Sequence, residues 1–320
     1  YEGDCTWDYS FGGDDEKTNN HISNKTEGDS HDGGSWWIDN IPDSTTENGV
    51  HVNSLLGSMK QTISQPFFYA LGLSTHNAFT PSLNYWNMYG DPKIKELLPI
   101  DENGNYSNLK GNGSSNIALP ATPVNDKADI PLIAFPDNIN LMADTAWQRV
   151  IHAYYAEVTQ MDASLGLVLD VMDSRNLWAN TIVVFWSDHG QHLGEHEGMW
   201  LKNDLFNESI HVPMIVCAPE RAPGVCNALT ELVDIYPTLT ELCSLPAKPD
   251  MEGSSLAPLL DNAAFAWKEA VFTQVRRDGD IMGRSVRTSQ FHYNSWDTTG
   301  EELYKIDTDP FEYTNLANSK

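Results

Sequence analysis

The sequence predicts an α/β domain with a mainly parallel central sheet flanked by helices, followed by a small antiparallel sheet at the C-terminus. Three observations predict it. First, short apolar runs of strand length occur at Pro66–Leu73, Thr181–Trp186 and Val212–Val216. A strand covered on both faces shows no polar alternation, so such runs read as buried strands. Second, segments of helical period lie between and beyond them. Residues 50–64 place Val52, Leu55, Leu56 and Met59 on one side. Trp147, Ile151, Tyr154, Val158, Met161, Leu165, Leu169 and Met172 recur every three or four residues, and 231–243 are again helical. Strands separated by helices build parallel sheets. Third, the pattern changes after about residue 268. Four short runs, near 269–275, 281–288, 291–296 and 301–306, follow one another without long helices.

The remaining stretches read as connections. Residues 1–48 are rich in Gly, Asp, Asn, Ser and Thr, and 100–140 carry Gly, Asn and four prolines, so both are expected on the surface. The expected organisation is a loop-rich segment 1–48, an α/β core portion 49–267 and a small antiparallel subdomain 268–320. With 320 residues and 40% hydrophobic content, a sizeable core is expected.

The formal net charge is −26, from 45 acidic and 19 basic residues. Nucleic acid is thereby excluded as an expected partner, because phosphate neutralisation needs clustered Lys and Arg. Any site for an anion must be a local cationic pocket, with the surrounding acidity screened beyond about 8 Å at physiological salt. No apolar run is long enough to span a bilayer. Residue 1 is Tyr, so the start reads as a processing boundary with more chain expected before it. Cys5, Cys217, Cys226 and Cys243 show no zinc spacing. Cys217 follows an apolar run, so a buried thiol, or a disulfide to Cys226, is expected there. Four Asn-x-Ser/Thr sequons, at Asn24, Asn105, Asn112 and Asn207, point to a secretory route.

The stretch richest in chemistry is Ser187-Asp188-His189-Gly190-Gln191-His192-Leu193-Gly194-Glu195-His196. It follows an expected strand directly, and in open α/β sheets ligands bind at the carboxyl ends of strands. Asp188 and His189 are both types that ligate divalent cations when deprotonated. Lys202 lies a few residues on and supplies the positive charge that the overall balance lacks. A plain polar loop is the competing reading, since Asp-His-Gly is common turn chemistry. His76 lies just past the first apolar run, in Leu73-Ser-Thr-His76. Alone it would read as a solvated loop histidine.

Together these residues resemble the sulfatase family of the alkaline phosphatase-like superfamily. The resemblance runs through Ser187-Asp-His-Gly, Leu193-Gly-Glu-His196, Trp200-x-Lys202, Phe206-x-Glu-Ser and Val212-Pro-x-Ile-Val216. Within the family, the likeness is to the iduronate-2-sulfatase-like branch, where the metal-binding turn reads Asp-His. Pro66-Phe-Phe-x-Ala-x-Gly, the His76 loop, Tyr154-Tyr-Ala-x-Val158 with Met161-Asp162, and Glu231-Leu-Val-Asp-Ile-Tyr-Pro-Thr-Leu239 also match. So do Gly283-x-Ser-x-Arg-Thr288, Glu302-Leu-Tyr304 and Asp307-x-Asp-Pro310. The set covers roughly residue 50 to the end, in order.

The resemblance implies hydrolysis of sulfate esters on a sulfated carbohydrate such as a glycosaminoglycan or an algal polysaccharide. It implies a formylglycine nucleophile and one Ca2+ ion that polarises sulfate oxygens. Asp188 and His189 are similar to metal-side residues, and Lys202 and His76 to contacts of the sulfate and the departing oxygen. His192, His196 and Arg287 are further substrate-binding candidates. The nucleophile motif and the first metal ligands precede everything seen here, so the formylglycine is expected outside this chain. An N-terminal chain of the same precursor is an expected partner, and the chain alone is expected to be inactive. An extracellular, periplasmic or lysosomal location is implied. Cys217-Ala-Pro-Glu-Arg221 matches the nucleophile pattern by letter, but it sits at an ordinary strand end and reads as a decoy. Two alternatives stand beside this reading: a phosphodiesterase or phosphonate hydrolase of the same superfamily, and a non-catalytic relative that binds sulfated glycans.

Overall fold

The structure, a computed structural model, describes residues 42–61, 66–76, 79–89, 117–135, 144–277 and 280–318. Most of the loop expected over 1–48 lies outside them. The chain forms two compact units, Tyr1–Leu119 with Met142–Asn176, and Pro120–Leu141 with Leu177–Lys320.

In the first unit, helices α1 (Glu47–Met59) and α2 (Leu83–Tyr89) both pack on the long helix α3 (Asp144–Ser174). The N-terminus of α1 is capped: the Thr46 hydroxyl accepts the Gly49 N–H at 3.1 Å, and Glu47 sits in the first turn beside the positive end of the helix. Val52, Leu56 and Met59 form its buried stripe. On α3, Trp147, Ile151 and Met172 of the expected stripe are buried, together with Val150 and Val168, while Tyr154, Val158, Met161, Leu165 and Leu169 are half-buried. The α2–α3 contact is aromatic: Trp86 stacks on His152 with ring centroids 3.8 Å apart.

The run at 66–73 is not a strand. It has no regular structure, and Phe67, Phe68 and Tyr69 are 37–61% exposed. Hydrogen bonds come to it from side chains of α1. Asn48 receives the Ser74 N–H and donates to the Ser74 carbonyl, both at 2.7 Å, and His51 Nδ1 lies 3.3 Å from the Gly72 carbonyl. An apolar run becomes a strand only where a neighbouring strand supplies the ladder. Among the described residues none does so here.

In the second unit, β1 (Val183–Trp186) and β4 (Met214–Cys217) stand within two residues of expectation. They pair antiparallel, with Val183 opposite Cys217 and Trp186 opposite Met214. A mainly parallel arrangement was expected, yet no parallel ladder occurs among the described residues. The chain between β1 and β4 is a returning loop rather than a crossover, and only a crossover gives parallel neighbours. That loop, 187–213, starts and ends at one edge of the pair. It contains a small hairpin of β2 (His192–Leu193) and β3 (Trp200–Leu201), then a helical turn α4 (Asn207–Ile210). Helices α5 (Ile235–Leu242) and α6 (Ala257–Asp261) follow.

The C-terminal sheet matches expectation closely. Strands β5 (Ala270–Arg276), β6 (Met282–Thr288), β7 (Phe291–Trp296) and β8 (Glu301–Lys305) form an antiparallel meander in chain order. Gly283 in β6 is required by packing, since a Cβ there would lie 2.5 Å from the Trp296 ring. Trp296 and Tyr304 join Met199, Leu205 and Phe206 of the hairpin region and Ile130, Ala134 and Phe135 in one buried cluster. Part of the expected surface excursion is thus core. Residues 126–134 form two short 3-10 turns that carry these apolar side chains inward, a feature without helical or strand period. Cys217, Cys226 and Cys243 are exposed free thiols, against the buried or bridged Cys217 expected. Cys217 closes an outward-facing position of β4, where side chains alternate between partial cover and exposure.

Candidate active site

Asp188, His189 and Gly190 turn sharply off β1. The Ser187 hydroxyl donates to the His189 carbonyl at 2.8 Å, and the His189 N–H donates to Asp188 Oδ1 at 3.0 Å. The Gly190 N–H is held by the Ser209 carbonyl at 2.8 Å. Glycine is needed there, because a Cβ would lie 1.9 Å from the Glu208 carbonyl oxygen. The Asp188 side chain is 81% exposed and that of His189 38%, with His189 Nε2 3.6 Å from Asp188 Oδ2. His189 Nδ1 lies 2.9 Å from the Gly190 carbonyl, which fixes the ring.

Lys202 comes from the other limb of the same loop. Its neighbours Leu201 and Asn203 both have positive φ, 76° and 81°, and both lack the freedom of glycine. Such backbone persists only where the surroundings hold it in place. Partial burial draws the Lys202 ammonium below its ordinary range, and the nearby Asp188 carboxylate pushes the other way. Asp188 and Lys202 are therefore electrostatic neighbours, a local pairing in a strongly acidic chain.

Beneath this surface lies a buried cluster. His192 Nε2 stands 3.2 Å from Asp204 Oδ2 and Nδ1 3.7 Å from Glu195 Oε2. These are ion-pair distances, but neither ring nitrogen has an aligned hydrogen bond. Burial works against the imidazolium, yet Asp204 and Glu195 more than offset it and raise His192 to about 10. Burial alone would raise the Asp204 carboxyl, but His192, the Phe206 N–H and the Ser209 hydroxyl hold it below the usual range. His196 Nδ1 lies 2.7 Å from Asp126 Oδ2. The turn of 195–198 that carries His196 is left-handed at His196 and Glu197.

His192 and His196, expected as substrate contacts, are thus fully buried and engaged with carboxylates. Arg287 lies on β6, donates to Asn207 Oδ1 and stands 3.5 Å from Glu312 Oε1. His76 is an exposed residue of the first unit, two positions past the Asn48–Ser74 clamp. Asn207, the one sequon among the described residues, is tied down: its side-chain amide donates to the Pro310 carbonyl at 3.3 Å, and its backbone N–H donates to Glu312 Oε2 at 3.0 Å. Asn24, Asn105 and Asn112 lie outside the described residues. Sequence reading missed Asp126 and Asp204, because a buried carboxylate carries no local signature that separates it from a solvated one.

Asp188 and His189 are two adjacent donors with open faces. A calcium ion takes about 6–8 oxygen ligands. Among the described residues, no group of three His, Cys, Asp or Glu side chains is placed to hold a metal. The pair therefore fits as part of a coordination sphere, not as the whole of one.

Comparison with known proteins adds the family. Residues 16–245 match the sulfatase family, and 194–320 match the family described as N-sulphoglucosamine sulphohydrolase, C-terminal. A sulfatase of Formosa agariphila is 29% identical over 291 residues, covering 87% of this chain and 52% of the relative. Iduronate 2-sulfatase of Mus musculus is 25% identical over 365 residues, covering 87% and 62%. In fold, the chain is similar to the phosphonate monoester hydrolase of Agrobacterium radiobacter, with a TM-score of 0.70 at 20% identity, covering 88% and 58%. The chain spans about half the length of the curated relatives it matches. With most of its length matched by the family pattern, the chain belongs to the sulfatase family.

Proposed function

We propose that the chain carries the cation-side and lysine-side part of a sulfuric ester hydrolase acting on a sulfated carbohydrate. The observation that supports this best is the placement of Asp188 and Lys202 on the two limbs of one loop, which the Gly190–Ser209 bond and the β2–β3 ladder hold together, in a chain of net charge −26. In this reading Asp188 and His189 hold the calcium side, with further ligands from outside the described residues. When bound, calcium supplies Lewis-acid polarisation of the sulfate oxygens. The Lys202 ammonium neutralises charge that develops as the S–O bond breaks, and it excludes neutral esters by its own desolvation. The formylglycine nucleophile lies outside this chain, on an N-terminal chain or segment of the same precursor. The names of the matched sulphoglucosamine sulphohydrolase family and of iduronate 2-sulfatase favour a sulfated sugar. Export to an extracellular, periplasmic or lysosomal compartment belongs to the same proposal.

The test is sulfate release by the protein expressed from its complete reading frame, on an aryl sulfate and on sulfated disaccharides, before and after chelation. Calcium-dependent release is expected, with this 320-residue chain alone inactive. Hydrolysis of a phenyl phosphonate ester in place of every sulfate would instead establish the phosphonate hydrolase alternative. Binding of the disaccharides without turnover would establish the non-catalytic one.

A further inference from the structure

Asp204 is a node between the two limbs of the candidate site. Its Oδ1 accepts the Phe206 N–H at 2.9 Å, and its Oδ2 accepts the Ser209 hydroxyl at 2.8 Å. The Ser209 carbonyl in turn holds the Gly190 N–H, next to His189. On its other side Asp204 faces His192, which stands opposite Leu201 in the β2–β3 ladder, one residue before Lys202. Residues 201–204 are thus gripped at both ends, and Arg277 adds a third hold by donating to the Asn203 carbonyl at 2.9 Å. The left-handed backbone at Leu201 and Asn203 needs such a grip.

We infer that His192 and Asp204 are positioning residues: their buried pairing fixes the backbone of Lys202 relative to Asp188 and Gly190, so that the ammonium meets the anion in place. This deepens the sulfatase reading and rests on it for its catalytic consequence. The groups facing His192 are Asp204, Glu195 and Glu208, with the His196 ring 5.9 Å away by centroids. The pair touches no substrate, since both side chains are fully enclosed. Its effect on turnover is therefore carried by the loop alone.

The experiment uses the protein from its complete reading frame. Steady-state kinetics on an aryl sulfate are compared for wild type, Lys202→Ala, Asp204→Asn, His192→Gln and the Asp204/His192 double variant. Amide hydrogen exchange is followed on the same samples. Each single variant should lower kcat by about 10- to 100-fold at unchanged KM, the range typical when a supporting partner is lost. The double variant should be no worse than the poorer single, because one unit has been broken. Amides of 199–204 should exchange about tenfold faster while those of β5–β8 stay protected. A kcat within about threefold of wild type in both single variants, with Lys202→Ala inactive, overturns the inference. Should wild type release no sulfate, the sulfatase reading fails on its own. The exchange data then decide, and unchanged protection at 199–204 overturns the positioning role. If Asp204→Asn does not fold, His192→Gln carries the test, since Asp204 keeps its bonds to Phe206 and Ser209.

Discussion

Two buried histidines in the second unit hold their surroundings by different physics. His292 in β7 is hydrogen-bonded on both sides: Nε2 lies 2.6 Å from the Ser285 hydroxyl and Nδ1 2.5 Å from Glu312 Oε1. Glu312 passes this on to the Asn207 N–H at the start of α4. The serine, histidine and carboxylate recreate the order of a hydrolytic triad, but all three are buried, so they act as a strut between the sheet and the loop. His192 stands 3.2 Å from Asp204 Oδ2 with poorer alignment and is held chiefly by charge. The difference teaches where tolerance lies. A fully bonded network resists change in every direction. A charge pair depends on protonation, so its grip on the loop varies with pH.

Breaking the strut should cost most. Glu312→Ala leaves His292, the Asn207 N–H and Arg287 without their shared carboxylate, and the expected loss is about 3–5 kcal/mol. Chemical denaturation measures it, and a loss below about 1 kcal/mol would mean that water replaces the carboxylate without strain. Asp204→Asn should cost less, about 1–3 kcal/mol, because His192 can shed its proton once the partner is gone. Its dependence on pH sharpens the contrast. His192 is raised to about 10, so its contribution is fully present below about 6.5, its ordinary value, and is lost as pH rises toward 10. Asp204 is lowered, so its contribution is present above the ordinary carboxylate range and lost as pH falls below it. The stability gap between wild type and Asp204→Asn should therefore narrow at both extremes, read as Tm across pH. A gap independent of pH would show that the pair is neutral.

Smaller effects test the surface of the site. Gly190→Ala should cost about 1–3 kcal/mol by overpacking against Glu208, with the β1–β4 ladder intact. Asp188→Ala should change stability by no more than about 0.5 kcal/mol, since the side chain is exposed, while it abolishes calcium binding. Isothermal titration with calcium on the complete protein checks this, and retained affinity would remove Asp188 from the cation side.

Much of the architecture was legible in the sequence where period and length agree. The four C-terminal strands fall within one or two residues of expectation, and α3 buries Trp147, Ile151 and Met172 of the expected stripe, with the other five half-buried. Reading failed where the deciding partner is distant. The run at 66–73 has strand composition, but no neighbour among the described residues supplies its ladder. Ile130 and Phe135 enter the core from short 3-10 turns that leave no periodic trace. That Asp188, His189 and Lys202 share one loop was legible from their spacing. Their support was not: Asp126 meets His196 across seventy positions, and Arg277 meets Asn203 across seventy-four.

The tethering of Asn207 sets an order of events during synthesis. In the folded chain its amide is spent on Pro310 and its carbonyl oxygen on Arg287, so an oligosaccharide cannot be attached there afterwards. Both partners lie far downstream, and sugar transfer acts on the chain while it is still emerging. In a compartment that glycosylates, an oligosaccharide on Asn207 would compete with both tethers, while the β5–β8 ladder itself does not involve this side chain.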